Sequence, residues 1–457
     1  MNLKEINNIH IIGIGGIGIS AIAKFLFKLN KRVIGSDLAK SEVTNNLEKL
    51  GLKIYFKHSE DNLLNDTDLI IYSAAVPKDN PERLKGKKIG ISEITYGQFL
   101  GDLSKKYEAI AVTGTNGKTT TSAILGNTFI DLELDPTVII GSLLKKFDGN
   151  LYLGKSDYLI MEADEYMANM LKIDPTHIIL TSIEEDHLDY YKDINDIIKH
   201  FQIFVDKLTD SGYLIYNGDD LNIKKLYLPG NSYSCGQDDT SLYYYKELII
   251  ENGKQSFKAF FERKLLGGFE LIIPGEYNVL NSLMVIALAH RLKLNLEKVK
   301  ESLNSFTGLW RRFEVLGEID NNVLIVSDYT HHPEAIQKTL KAAKDFYPDR
   351  RLFLVYQPHQ HDRTKKLFND FVRAFDYADF TILHEIYDVA GRKYVGDDQV
   401  SSNDIVKQIN RDNVIYSNTF ESTKKLIKDN IEPNDLLLIM GAGDIDQIAR
   451  DIYDQGI

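Results

Sequence analysis

Gly114, Thr115, Asn116, Gly117, Lys118, Thr119 and Thr120 follow an apolar run at 109–112. A glycine-bounded turn between a buried strand and a helix beginning near Lys118 points successive backbone N–H groups into one concavity. The positive end of the helix dipole adds to that field, so the turn suits phosphate oxygens. Lys118 has the reach to neutralise the outer phosphates of a nucleotide, and the Thr119 hydroxyl can ligate Mg²⁺. The longer phosphate loop carries a further glycine where Val112 stands, so this is a shorter Gly-x-x-Gly-Lys-Thr form.

A second glycine turn, with Gly13, Gly15, Gly16 and Gly18, lies between an apolar run at 9–12 and a helix expected over 21–29. Gly13, Gly15 and Gly18 have the Gly-x-Gly-x-x-Gly spacing, which permits a tight turn, backbone approach to a pyrophosphate and close helix packing. Asp37, after Ser36 at the end of a second strand, stands at the ~20-residue distance of a ribose-binding acid. Ser73 ends a further strand, where ligands of open α/β sheets sit. NAD, FAD and a nucleotide sugar all fit this motif.

Two more apolar runs end in acids. That at 158–161 leads to Glu162, Asp164 and Glu165; that at 177–181 leads to Glu184, Glu185, Asp186 and His187. They predict a metal site facing the phosphate loop, with Glu162 as a direct Mg²⁺ ligand and His187 on a second ion or a bound water. Glu184, Glu185 and Asp189 are expected to be solvated. Asn278 and Asn281 lie three apart on one face of a helix and can read an adenine edge. Toward the C-terminus, strands at 323–326, 352–356 and 436–440 deliver Asp328, Tyr329, His331, His332, His359, His361 and Arg363. Four of the chain's eleven histidines thus fall at two strand ends expected to be adjacent, the rim of an α/β active site. Zinc-type Cys/His spacing is absent.

These residues need a large scaffold. The chain has 457 residues, too many for one ordinary core. Its alternation of apolar runs and helical patterns predicts an α/β protein of three domains, each built on a mainly parallel sheet flanked by helices. The first and third read as Rossmann-like and the central one as P-loop-like, with boundaries at 1–104, 105–309 and 310–457. A charged stretch at 101–106 marks the first boundary. Residues 228–273 alternate with period two, which predicts antiparallel strands with one wet face in an inserted or peripheral sheet. No apolar run approaches the ~20 residues that span a bilayer, so no membrane insertion is expected. A net charge of −12 argues against nucleic-acid binding. The single cysteine, Cys235, excludes an internal disulfide framework and fits a cytoplasmic protein.

Taken in order, these motifs resemble the ATP-dependent Mur ligases, three-domain enzymes of peptidoglycan precursor synthesis. The resemblance rests on the turn at 13–20, the stretch 35–39, the loop at 114–120, the acids at 162–165 and Glu185-Asp186-His187. It extends to Arg311-Arg312-Phe313, residues 328–333, Gln357-Pro358-His359 and Arg363-Thr364. It implies a ligase that activates a carboxylate as an acyl phosphate, with UDP-N-acetylmuramate and L-alanine as partners and ATP with Mg²⁺ as cofactors. The turn 13–18 with Ser36, Asp37 and Ser73 would hold the sugar nucleotide. ATP would lie on 114–120, with Asn278 and Asn281 near adenine and Arg311 and Asp328 beside it. Tyr329, His331, His359 and Arg363 would face the carboxylate and amino acid. Thr119, Glu162 and His187 would be the Mg²⁺ set, with Lys118, Glu162, His187 and His331 catalytic. The three domains would have to close around the reactants, in a monomer or weak homodimer. Asn116, Ser182, Tyr277 and Gln360 depart from the branch that uses alanine, which has His, Asn, His and Arg there. The departure at Gln360 bears most directly on the amino acid. The alternatives are a recycling ligase that adds a tripeptide and a non-catalytic sugar-nucleotide-binding protein. A dinucleotide oxidoreductase would leave 114–120 without a purpose.

Overall fold

Ile9, Ile11 and Ile12 surround His10, and a β-branched run with no polar face predicts a strand covered on both sides. All four are buried. This strand, β1 (Asn8–Ile12), centres a parallel sheet with β2 (Arg32–Ser36), β3 (Lys53–Tyr55), β4 (Leu69–Tyr72) and β5 (Ser92–Thr95), in the order β3-β2-β1-β4-β5. Helices α1 (Ile17–Lys28), α2 (Glu42–Lys49), α3 (Pro81–Ile89) and α4 (Tyr96–Ser104) connect or follow the strands. Ser41 with Thr44, and Thr95 with Gln98, form capping boxes that start α2 and α4. Asn80 caps α3, with Pro81 in its first turn. Helix α1 begins at Ile17, earlier than the apolar pattern indicated, because the glycine turn runs straight into it. Strand order reverses at β1, so a crevice opens beyond the carboxyl ends of β1 and β4. The structure, a computed structural model, describes residues 3–147, 149–188, 190–251, 253–388 and 400–456. Asp189 lies outside them.

The second sheet is built on β6 (Glu108–Thr113), β7 (Thr137–Leu144), β8 (Gly149–Tyr152), β9 (Tyr158–Glu162), β10 (His177–Leu180) and β11 (Leu214–Asn217). It continues through β12 (Ser232–Gly236), β13 (Tyr243–Glu251), β14 (Lys254–Phe261) and β15 (Lys264–Leu271). The order is β15-β14-β13-β12-β11-β10-β6-β9-β7-β8. Helices α5 (Lys118–Asp131), α6 (Ile194–Val205), α7 (Glu276–Arg291) and α8 (Leu296–Asn304) belong to the same stretch of chain. Strand β6 lies between β9 and β10, parallel to both, so the loop after β6 is walled by the ends of those two strands. The expectation of antiparallel strands in an inserted or peripheral sheet at 228–273 is corrected in part: β12 pairs parallel with β11 and β13 parallel with β12, so the segment extends the main sheet, with β15 at its edge. Alternation marks a half-solvated face but not whether a strand joins an existing sheet. Cys235 sits in β12, fully buried.

The charged stretch at 101–106 is not a loose spacer. It includes the end of α4, where a Cβ added to Gly101 would come within 2.1 Å of the Lys172 carbonyl oxygen. Ile11, Phe25, Phe99, Met161 and Phe201 accordingly share one apolar cluster. By compactness the chain divides into one unit of residues 1–246, 258–267 and 280–303, and another of 247–257, 268–279 and 304–457.

In the second unit a sheet runs β16 (Glu314–Ile319), β17 (Val323–Asp328), β21 (Leu436–Met440), β18 (Leu352–Tyr356), β19 (Phe380–His384), β20 (Val414–Ser417). Only β16 is antiparallel to its neighbour. Helices α9 (Pro333–Phe346), α10 (His361–Lys366), α11 (Phe368–Arg373), α12 (Ser402–Ile409), α13 (Phe420–Asn430) and α14 (Asp446–Gln455) complete it. The ends of β17 and β18 are not adjacent as expected: β21 lies between them. No helix among the described residues is long and apolar enough to cross a membrane.

Candidate functional site

The loop after β6 is shaped by its neighbours. Gly114 has φ +132°, and a Cβ there would meet Thr181 Oγ1 at 2.2 Å, so only glycine fits. The Thr115 N–H donates to the Ser182 carbonyl at 2.9 Å, and the Asn116 N–H to Ser182 Oγ at 2.9 Å. The Asn116 amide donates to Glu184 Oε2 at 3.0 Å, so Glu184 is engaged rather than simply solvated, while Glu185 is exposed. Gly117 is the N-cap of α5 with φ +85° and offers no side chain to the first helical turn, where Lys118, Thr119 and Thr120 lie. Those N–H groups and the helix dipole are the anion-attracting element. Asn281 leans on this loop: its Oδ1 would lie 2.9 Å from a Cβ at Gly117. Asn278 instead turns back to the Pro274 carbonyl at 2.7 Å.

Lys118 Nζ donates to the Gly114 carbonyl at 2.6 Å and the Thr115 carbonyl at 3.1 Å, and pairs with Glu165 Oε2 at 2.7 Å. Burial pulls the Lys118 ammonium down, but Glu165, Asp164 and Glu162 outweigh it and its pKa is raised. Burial likewise pushes Glu165 up, and Lys118 and His187 together bring it below its ordinary value. Asp164, desolvated and beside Glu165, is pushed up to about 6. One ligand atom each of Asp164, Glu165 and His187 lie within 4.8 Å of one another. Glu162 Oε2 accepts from Thr119 Oγ1 at 3.1 Å, and its other oxygen from Ser122 Oγ at 3.3 Å and the Gly141 N–H at 2.5 Å. Two oxygen-rich donor sets therefore stand at the mouth of the loop, Thr119 with Glu162 and Asp164 with Glu165 and His187. Oxygen donors beside a phosphate-type turn fit Mg²⁺. Sequence reasoning named Asp164 and Glu165 only as part of a motif; their place just after Glu162 at the end of β9 was the signal.

At the first glycine turn, Gly13 (φ +74°) and Ile14 both donate to the Ser36 carbonyl, at 2.8 and 3.1 Å. The Gly15 N–H donates to Asp37 Oδ2 at 2.8 Å, and the Leu38 N–H to Oδ1 at 2.7 Å. Asp37 thus braces the turn. The Gly16 N–H closes it on the Gly13 carbonyl at 3.2 Å, and Gly18 faces the Tyr96 ring. Ser73 stands beside Gly13, its N–H on the Ile12 carbonyl at 3.1 Å. Ser36 differs from expectation: its hydroxyl is buried and donates to Glu82 at 2.6 Å, away from the crevice.

In the second unit, Asp328 accepts from the N–H groups of Phe313 and Thr330, each at 2.7 Å, and so fixes the loop that carries Arg311. The Arg311 guanidinium donates to the carbonyls of Gly441 and Gly443 and lies over the Tyr329 ring. His331 and His359 have ring centres 5.9 Å apart, and Arg363 Nη1 reaches His359 Nδ1 at 3.4 Å. Desolvation, with Arg363 adding to it, pushes His331 down to about 3, so its imidazole is neutral at physiological pH. A guanidinium beside the neutral His331 ring and His359 is a fitting receptor for a small carboxylate.

Three family models match in succession: "Mur ligase family, catalytic domain" over residues 8–108, "Mur ligase middle domain" over 112–289, and "Mur ligase, glutamate ligase domain" over 311–443. A protein of Clostridium acetobutylicum named UDP-N-acetylmuramate–L-alanine ligase is 40% identical over 448 residues, covering 97% of this chain and 96% of its own. The chain belongs to the Mur ligase family. A similarly named protein of Sulfurihydrogenibium sp. is 37% identical over 450 residues, covering 97% of each chain. The crystal structure of a UDP-N-acetylmuramate–alanine ligase from Thermotoga maritima superposes with a TM-score of 0.86 at 28% identity, over 98% of each chain. Against this Mur ligase background the four departures have visible settings. Asn116 and Ser182 bond each other across the loop, Tyr277 is part-exposed at the start of α7, and Gln360 adopts φ +71° as the N-cap of α10.

Proposed function

We propose that this Mur ligase joins L-alanine to the carboxylate of UDP-N-acetylmuramate at the expense of ATP, giving ADP and phosphate, in peptidoglycan precursor synthesis. The observation that carries this is full-length similarity to ligases of that activity, together with a phosphate loop whose lysine and acids are already mutually paired. A carboxylate is a poor electrophile, and transfer of the γ-phosphoryl group makes it an acyl phosphate. The N–H groups of the first turn of α5 and Lys118 would hold the phosphates and offset charge developing on the transferred group. Thr119 and Glu162, with His187 and its two acid neighbours, would hold Mg²⁺, which supplies further neutralisation of phosphate charge. Asn281 and Asn278 would serve adenine, and Arg311 and Asp328 would contribute to ATP binding. Gly13, Gly15, Gly16, Gly18, Asp37 and Ser73 would seat the sugar nucleotide.

The amine of alanine then attacks the acyl carbon, and phosphate leaves from the tetrahedral intermediate. Arg363 and His359 would receive the alanine carboxylate, with Tyr329 and His331 beside them. His331 can accept a hydrogen bond from the amine but, with so low a pKa, cannot keep its proton at neutral pH. A cytoplasmic site, where ATP is available, follows from this chemistry.

The test is an amine panel. With ATP, Mg²⁺ and UDP-N-acetylmuramate, phosphate release should require L-alanine. Release with a murein tripeptide but not with alanine would make the chain a recycling ligase. ATP binding without turnover on any amine would make it a binding protein. Gly114→Ala should weaken ATP binding, read by calorimetry, by at least about tenfold, because the new Cβ displaces Thr181 from the loop wall. Unchanged ATP affinity would place the nucleotide elsewhere.

A further inference from the structure

Behind the N-terminal glycine turn lies a carboxylate that no step above uses. Glu82, in the first turn of α3, is 0% exposed. Its Oε2 accepts from His10 Nε2 at 2.8 Å and Ser36 Oγ at 2.6 Å. Its Oε1 accepts from Asn62 Nδ2 at 2.8 Å, the Ser59 N–H at 3.2 Å and His58 Nδ1 at 3.3 Å. These donors come from β1, the end of β2 and the turn that follows β3. Burial alone would push such a group toward neutrality. The hydrogen bonds from His10, Ser36 and Asn62 overcome that and hold Glu82 at about 2.

The link from Glu82 to the glycine turn is short. Ser36 gives its hydroxyl to Glu82 and its carbonyl oxygen to the N–H groups of Gly13 and Ile14. The next residue, Asp37, takes the Gly15 N–H. Three consecutive N–H groups of the turn, of Gly13, Ile14 and Gly15, therefore hang on the end of β2, and Glu82 fixes that end from behind. Replacing a buried charged network wholesale by apolar residues of similar volume is often neutral or stabilising, so the network is not needed for stability as such. What a fully hydrogen-bonded charge adds is a single geometry.

We propose that Glu82 is a positioning residue for the sugar-nucleotide site. Through Ser36 it sets the placement of the turn 13–18, and with it the affinity for the diphosphate of UDP-N-acetylmuramate, without touching that ligand. The inference rests on the function proposed above.

In the full chain, Glu82→Gln should raise KM for UDP-N-acetylmuramate at least about tenfold, with KM for ATP and for L-alanine changed less than about twofold. Glu82→Asp, which keeps the charge, should recover part of the loss. Asn62→Ala removes one donor to Oε1 far from the turn and should give a smaller rise in the same KM; it carries the test if Glu82→Gln does not fold. Parallel rises in all three KM values, or a lowered Tm with unchanged KM, would assign Glu82 to folding alone and overturn the proposal. Calorimetry separates the two levels. If the unmodified chain fails to bind UDP-N-acetylmuramate, the functional reading is wrong. If it binds and Glu82→Gln binds equally well, the positioning role is wrong.

Discussion

Lys118→Ala should lower phosphate release on the order of 10³-fold, since it deletes the charge proposed to meet the transferring phosphoryl group. Affinity for UDP-N-acetylmuramate should stay within about twofold, because the glycine turn proposed to seat it shares no hydrogen bond with Lys118 among the described residues. The substitution also strips Glu165 of its ion-pair partner. That carboxylate is 4% exposed, and removing one member of a buried pair costs about 3–5 kcal/mol unless the survivor takes up a proton. A lowered Tm is therefore expected alongside the kinetic loss. Glu165→Gln in the same background should restore part of the Tm and none of the rate. Single-turnover phosphate release and thermal unfolding distinguish the two effects. Equal loss of turnover and of sugar-nucleotide affinity would show that the loop at 114–120 is not the ATP site.

Glu162→Gln should reduce turnover by roughly 10²-fold and shift its Mg²⁺ dependence to higher concentration. The carboxylate faces Thr119, Ser122 and the Gly141 N–H, all of them donors. An amide can still accept from most of these, so the loop should keep its shape while losing a full negative charge. Phosphate release measured across a Mg²⁺ titration is the check. An unchanged Mg²⁺ profile would move the metal to the Asp164, Glu165 and His187 set alone.

Sequence reasoning reached furthest where the chemistry is local. The turns at 13–18 and 114–120 are each a handful of consecutive residues whose backbone geometry follows from glycine placement. What sequence could not supply was the identity of neighbours. Thr181 and Ser182 wall the phosphate loop because β10 pairs beside β6, a pairing written nowhere within either segment. Strand β21 comes last in its sheet yet slots between β17 and β18, so the histidines at those ends meet across it. Ser36 and Asp37 show the finest limit. They are consecutive at the end of β2, so their side chains point to opposite sides. One went inward to Glu82 and the other to the glycine turn, and both had been assigned to the same ligand.

The buried Cys235 bears on how this ligase can be labelled. Its thiol is fully enclosed in β12, and burial pushes its pKa well above the ordinary thiol value. The folded chain should therefore be blind to maleimide dyes. A cysteine placed on any exposed loop would be the sole reactive handle, and two of them would take a fluorophore pair without first stripping the native sulfur.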